Sequence, residues 1–130
     1  MILVVEDNAD DSFLLTRQLA RAHLEHRVRV IGDGKDALEF LLDAQVHVEV
    51  VFLDLTLPRM SGIEILRQIR SDERRQGLSI IVMTNSVNPS DVRECTALGV
   101  TAYLPKPVDL KTFARIVGHL DVQELGVSKR

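Results

Sequence analysis

Five short apolar runs alternate with segments of helical period from one end of the chain to the other. The runs lie at 2–5, 28–31, 48–53, 80–83 and 101–104. The longest, 48–53, is rich in β-branched residues, as a strand buried on both faces must be. Between the runs, apolar residues recur at helical spacing. Leu15, Leu19 and Ala22 mark a helix over 10–23, with Asn8, Asp10 or Asp11 as its cap. The turn signal Gly32-Asp33-Gly34 precedes a short helix with Ala37, Leu38, Leu41 and Leu42 on one face. Ile65, Leu66 and Ile69 stripe a helix over 62–75. Ser90 is expected to cap a helix over 91–98, which Gly99 ends. Its face of Val92, Cys95 and Leu98 is thin, which predicts the least firmly held helix. Leu110, Phe113, Ala114, Val117 and Leu120 mark the last helix, over 110–120.

A strand–helix unit repeated five times predicts an α/β fold. Right-handed crossovers give a doubly wound five-stranded parallel sheet in the order 2-1-3-4-5, a flavodoxin-like (βα)5 arrangement. One domain is expected over 1–121, followed by a polar C-terminal tail, 122–130. A net charge of -3 gives no bulk attraction to nucleic acid, and 4% aromatic content is too little for a base-stacking platform. No run approaches the roughly 20 apolar residues of a membrane span. The chain opens on a strand, without the basic and apolar regions of a signal peptide. Cys95, alone, makes no intramolecular disulfide. The expectation is a cytoplasmic protein without nucleic-acid or membrane partners.

Four of the strands end on a reactive or charged residue: Glu6-Asp7, Asp54, Thr84, and Lys106 between two prolines. In an open parallel sheet, ligands bind at the carboxyl edge, and this strand order sets the first and third strands side by side at the switch point. Glu6, Asp7 and Asp54 therefore converge. Three acids repel one another, and a hard cation relieves the repulsion. All-oxygen ligation suits Mg²⁺. Asp7 and Asp54 are assigned as direct ligands, Glu6 as a ligand through water, and the backbone carbonyl of Thr56 as a further oxygen. Asp54 is also a nucleophile that can form an acyl phosphate. Lys106 is expected opposite Asp54, pairing first with the carboxylate and later with the phosphate. The Lys106–Pro107 bond is a suitable place for a cis peptide. The Thr84 hydroxyl is expected to donate to a phosphate oxygen, opening space into which Tyr103 turns. Singly, each residue has an ordinary structural role; jointly, all map to one edge of one sheet. The histidines at 23, 26, 47 and 119 lie away from that edge, Cys95 suits a helix face, and Arg74-Arg75 reads as a solvated helix end.

Val5-Glu6-Asp7-Asn8, Leu53-Asp54, Leu57-Pro58-Arg59-Met60-Ser61-Gly62, Met83-Thr84, Gly99, Tyr103 and Lys106-Pro107 occur in this order. With them, residues 1–121 resemble the receiver domain of two-component response regulators. The resemblance implies that Asp54 takes a phosphoryl group from a phosphohistidine on a sensor histidine kinase, with Mg²⁺ bound by Glu6, Asp7 and Asp54. It also implies Thr84 and Tyr103 as a switch pair and Lys106 as the charge partner. Output is then contact with a downstream effector protein, not turnover of an external substrate, and no effector domain is expected to follow.

The pattern Glu6-Asp7-Asn8-x-x-Asp11, the stretch 33–40 and Thr84-Asn85-Ser86 are similar to stand-alone regulators paired with phytochrome-type kinases. That subgroup implies a homodimer through the last two helices and the last strand. Asn85 departs from the family's small residue and is expected to narrow access to the phosphate. A dehalogenase-like phosphatase would need a second Asp where Thr56 stands. A mononucleotide site would need a phosphate-cradling loop where residues 6–11 are acidic. An adaptor that takes no phosphate is opposed by the complete acid set with Lys106.

Overall fold

Strands β1 (Ile2–Val5), β2 (Val28–Ile31), β3 (Val50–Asp54), β4 (Ser79–Thr84) and β5 (Ala102–Pro105) alternate with five helices in a computed structural model. The helices are α1 (Ala9–Arg21), α2 (Gly34–Leu42), α3 (Gly62–Ser71), α4 (Pro89–Ala97) and α5 (Leu110–Gln123). The structure describes residues 1–24, 27–86 and 88–123. His26 and residues 124–130 of the expected tail lie outside them. The strands form one parallel sheet in the order β2-β1-β3-β4-β5, the doubly wound arrangement that the alternating periods predict.

Every position of β1, β3 and β4 is buried, so alternate residues feed two cores. Leu3, Val51, Leu53, Ile80 and Val82 pack with Ala37, Leu41, Ile65, Ile69 and Cys95 of α2, α3 and α4. On the other face, Ile2, Val4, Phe52, Ile81 and Met83 pack with Leu15 and Leu19 of α1 and Phe113 and Val117 of α5. The rings of Phe52 and Phe113 lie 5.4 Å apart and seat α5 against the central strand. Fully burying a side chain of that size contributes roughly 3 kcal/mol.

Several expected boundaries are corrected. The helix over 62–75 ends at Ser71, because the Asp72 side chain accepts from the Arg74 amide and starts a separate 3-10 turn, Glu73–Arg75. Arg75 is buried, not solvated. It donates to the carbonyls of Leu41 (2.9 Å), Asp43 (3.0 Å) and Val46 (2.8 Å), so its guanidinium supplies partners for backbone at and beyond the end of α2. Asn88, not Ser90, caps α4, with Pro89 at the first turn, where its missing N–H costs nothing. Val92 is exposed, and Cys95 is the buried residue of that helix. The helix is held instead through α3. Arg67 pairs with Glu94, and Arg70 donates to the carbonyls of Leu98 (2.7 Å) and Gly99 (3.0 Å). Ala114 is exposed, which narrows the buried face of α5 to Phe113 and Val117 among the described side chains.

Candidate functional site

The register of β1 on β3 pairs Val5 with Leu53, so the residues that follow, Glu6 and Asp54, emerge side by side at the carboxyl edge. One carboxylate oxygen each of Glu6, Asp7 and Asp54 lies within 4.8 Å of the others. Glu6 and Asp54 are buried and Asp7 is exposed, so the cluster opens to solvent on one side. The Asn8 amide donates to Glu6 Oε2 (3.2 Å), and the Thr56 amide donates to Asp54 Oδ1 (3.0 Å). These bonds fix the two buried carboxylates from the loops after β1 and β3. The second loop folds back closely. A Cβ on Gly62 would run into the Asp54 carbonyl, and the Gly62 amide donates to the Leu55 carbonyl at 2.9 Å. Arg59, at the tip of that loop, has a φ of 66° and reaches across to the loop after β2, where it grips Asp33.

Lys106 enters from β5 past the carbonyl of Thr84, which accepts from its amide at 2.7 Å. The Lys106–Pro107 bond is cis. The ammonium donates to Glu6 Oε1 (2.5 Å), Asp11 Oδ2 (2.8 Å) and Asp54 Oδ2 (3.0 Å). Burial pushes the Glu6 carboxyl up to about 7, against the lysine's pull and with help from Asp54. Burial also works against the charged form of Lys106, but the three carboxylates outweigh it and hold the ammonium above its ordinary value.

Thr84 ends β4 beside β3 and is fully buried. Its hydroxyl oxygen accepts from the Ser86 amide (3.0 Å). The Tyr103 hydroxyl, half-buried on β5, donates to the Ser86 carbonyl (3.2 Å). Ser86 Oγ donates to Asp91 in the first turn of α4 (2.6 Å). Asn85 is exposed.

The sheet therefore brings Glu6, Asp7, Asp54, Thr84 and Lys106 to one edge, with Tyr103 joined through Ser86. Thr56 reaches the site through its amide. Among the described residues, His23, His47 and His119 are absent from the cluster of metal-ligating groups. Two residues that the structure brings to the site were not assigned to it from the sequence. Asp11 had an ordinary explanation as a candidate helix cap, and Ser86 gave no signal beyond its place in Thr84-Asn85-Ser86. An all-carboxylate set this tight suits a hard, oxygen-seeking cation.

The pattern of the response regulator receiver domain matches residues 2–117. The chain belongs to that family. This receiver is 33% identical to FilR2 of Methanothrix harundinacea, a probable methanogenesis regulatory protein, over 97% of this chain and 84% of that one. It is 31% identical to the response regulator Rcp1 of Synechocystis, over 90% of this chain and 83% of Rcp1. The crystal structure of Mn²⁺-bound Rcp1 matches the receiver with a TM-score of 0.80 at 29% identity, covering 99% of this chain and 97% of that one. The phosphorylated cyanobacterial phytochrome response regulator RcpA matches with a TM-score of 0.80 at 28% identity, over 98% and 95% of the two chains.

Proposed function

We propose that this receiver accepts a phosphoryl group on Asp54 from a phosphohistidine of a sensor histidine kinase and changes its protein contacts in response. The observation that carries this reading is the Lys106 ammonium, 3.0 Å from Asp54 within a buried acid cluster. An Asp54 oxygen attacks phosphorus, the phosphorus–nitrogen bond breaks, and the imidazole nitrogen leaves with the bonding pair. Lys106 follows the new charge onto a phosphoryl oxygen, and the Thr84 hydroxyl donates to another. Glu6, Asp7 and Asp54, with the Thr56 backbone carbonyl, would hold Mg²⁺. When bound, the ion neutralises charge on the phosphoryl oxygens. Mn²⁺ in Rcp1 and the phosphorylated state of RcpA support the same assignment.

Thr84 does not move alone. Its bond to Ser86 passes the shift to Tyr103 and to the first turn of α4, the two-state element that partners read. The receiver then assists its own phosphorylation and dephosphorylation without turning over an external substrate. Its relation to RcpA, a phytochrome response regulator, supports a phytochrome-type kinase, and the same reading extends to a homodimer through α4, β5 and α5. The same reading has it act in the cytoplasm on protein partners. Among the described residues, no helix is long and apolar enough to cross a membrane.

Intact-protein mass after incubation with acetyl phosphate tests this, with and without Mg²⁺, for wild type and Asp54→Asn. A Mg²⁺-dependent phosphoryl adduct that Asp54→Asn lacks is expected. An adduct of equal yield on Asp54→Asn would sink the assignment. A folded wild type without adduct would favour the adaptor reading.

A further inference from the structure

We propose that Asp11 is a positioning residue that competes with a phosphorylated Asp54 for Lys106 and so sets how readily this receiver holds a phosphoryl group. This rests on Asp54 being the phosphoacceptor. An ammonium has three N–H donors, and the ammonium of Lys106 bonds three carboxylates: Glu6, Asp11 and Asp54. The bond to Asp11 is 2.8 Å, shorter than the 3.0 Å to Asp54. Glu6 and Asp54 belong to the tight acid cluster, and Asp11 does not.

Asp11 is well placed to hold its share. Its amide donates to the Asn8 cap at 3.0 Å, so the backbone that carries the carboxylate is fixed. The favourable effect of an acid near a helix N-terminus serves equally for Asp10, whose side chain is exposed. Beside the lysine lies a cavity of about 110 Å³, bordered by Leu15, Met83, Pro107 and Phe113. Glu6, Asp11 and Lys106 line the same cavity, so the ammonium has room to shift among its anions. A phosphoryl group on Asp54 needs that ammonium and is repelled by the Asp11 charge. While Asp11 keeps its donor, the new anion gets a smaller share of the lysine.

The test compares wild type, Asp11→Asn and Asp11→Glu by calorimetric titration, first with Mg²⁺ alone, then with beryllium fluoride, a tetrahedral phosphoryl analogue, at saturating Mg²⁺. Asp11→Asn should bind the analogue about 3- to 10-fold more tightly, as expected for one charge removed at this range near the surface. It should bind Mg²⁺ alone about twofold more weakly, because negative charge near the cation is lost. Asp11→Glu, which keeps the charge, should stay near wild type in both. A merely structural role would weaken both ligands together. Equal analogue affinity in wild type and Asp11→Asn, shifts of the same sign, or an Asp11→Glu protein that follows Asp11→Asn would each overturn the proposal. A wild type that binds no analogue would overturn the phosphoacceptor reading and this inference together. The mass experiment on Asp54→Asn reports on the former alone.

Discussion

The Ser86 amide donates to the buried hydroxyl oxygen of Thr84 at 3.0 Å. The Ser86 carbonyl accepts from Tyr103, and its hydroxyl donates to Asp91 of α4. One residue thus joins the hydroxyl beside the acid site, the tyrosine of the edge strand, and the helix least supported by apolar burial. The three are thereby tied to one another through Ser86.

Ser86→Ala removes the bond to Asp91 and the bond that its hydroxyl oxygen accepts from the Asn88 amide (3.3 Å), and leaves both backbone bonds in place. The cost should be about 1–2 kcal/mol in urea unfolding, the usual worth of two such bonds on a half-exposed side chain. Amide exchange should speed up in α4 relative to α3, with acetyl phosphate labelling of Asp54 retained. Unchanged exchange in α4 would mean that the bonds of the Ser86 hydroxyl to Asp91 and Asn88 do not hold the helix.

Lys106→Met leaves Glu6 and Asp54 without their shared cation. Breaking a buried ion pair on one side costs about 3–5 kcal/mol. Thermal unfolding in chelator at slightly alkaline pH should show a clear fall in Tm. Added Mg²⁺ should restore much of the loss and bind more tightly than to wild type, because Lys106 no longer competes for the same oxygens. Acetyl phosphate labelling should drop sharply. A Tm insensitive to Mg²⁺ would contradict the role of Lys106 as neutraliser of this cluster.

Burial raises the folded Glu6 carboxyl to about 7 from an ordinary 4.5. Folded Glu6 binds its proton more tightly than unfolded Glu6, so without divalent cation this group's contribution falls as pH climbs through that interval. The full swing is at most roughly 3 kcal/mol. Wild type should lose stability relative to Glu6→Gln between about pH 5 and about pH 8 in chelator, measured by urea unfolding, and Mg²⁺ should shrink the difference. A relative gain over that range would show the opposite sign and contradict the burial argument.

Arg59 holds Asp33 in a two-point grip, Nε to Oδ2 at 2.6 Å and Nη2 to Oδ1 at 2.8 Å, and also reaches Asp36. The guanidinium, aided by the Asp36 amide, brings the Asp33 carboxyl down to about 2. Arg59→Ala should return it most of the way to an ordinary carboxylate, read by carbon NMR of the Asp33 carboxyl across an acid titration. An unmoved titration would leave the backbone donors as the cause.

The helix boundaries show how far local pattern reaches. Apolar spacing predicts α3 well but carries on past Ser71, since Arg74 and Arg75 fit a helix end as well as any charged pair. Arg75 turns inward because carbonyls near the end of α2 arrive from more than thirty positions earlier and need donors. Asn88 and Ser90 are both good caps, and the deciding signal was Pro89, which suits the first helical position. Val92 fits the helical period, but the way α4 lies against α3 leaves it exposed.

The sequence by itself determined the parallel α/β sheet, its strand order and the edge to which Glu6, Asp7, Asp54, Thr84 and Lys106 come. Strand and helix periods are local, and the connection rules leave few ways to join them. Only the tertiary structure decided which groups share the ammonium of Lys106, and that Ser86 joins the hydroxyls of Thr84 and Tyr103. Asp11 and Lys106 stand 95 positions apart, and their contact depends on how α1 and the end of β5 meet over the sheet. Spacing along a chain carries no trace of an approach that distant; side-chain packing and charge settle it once the sheet has formed.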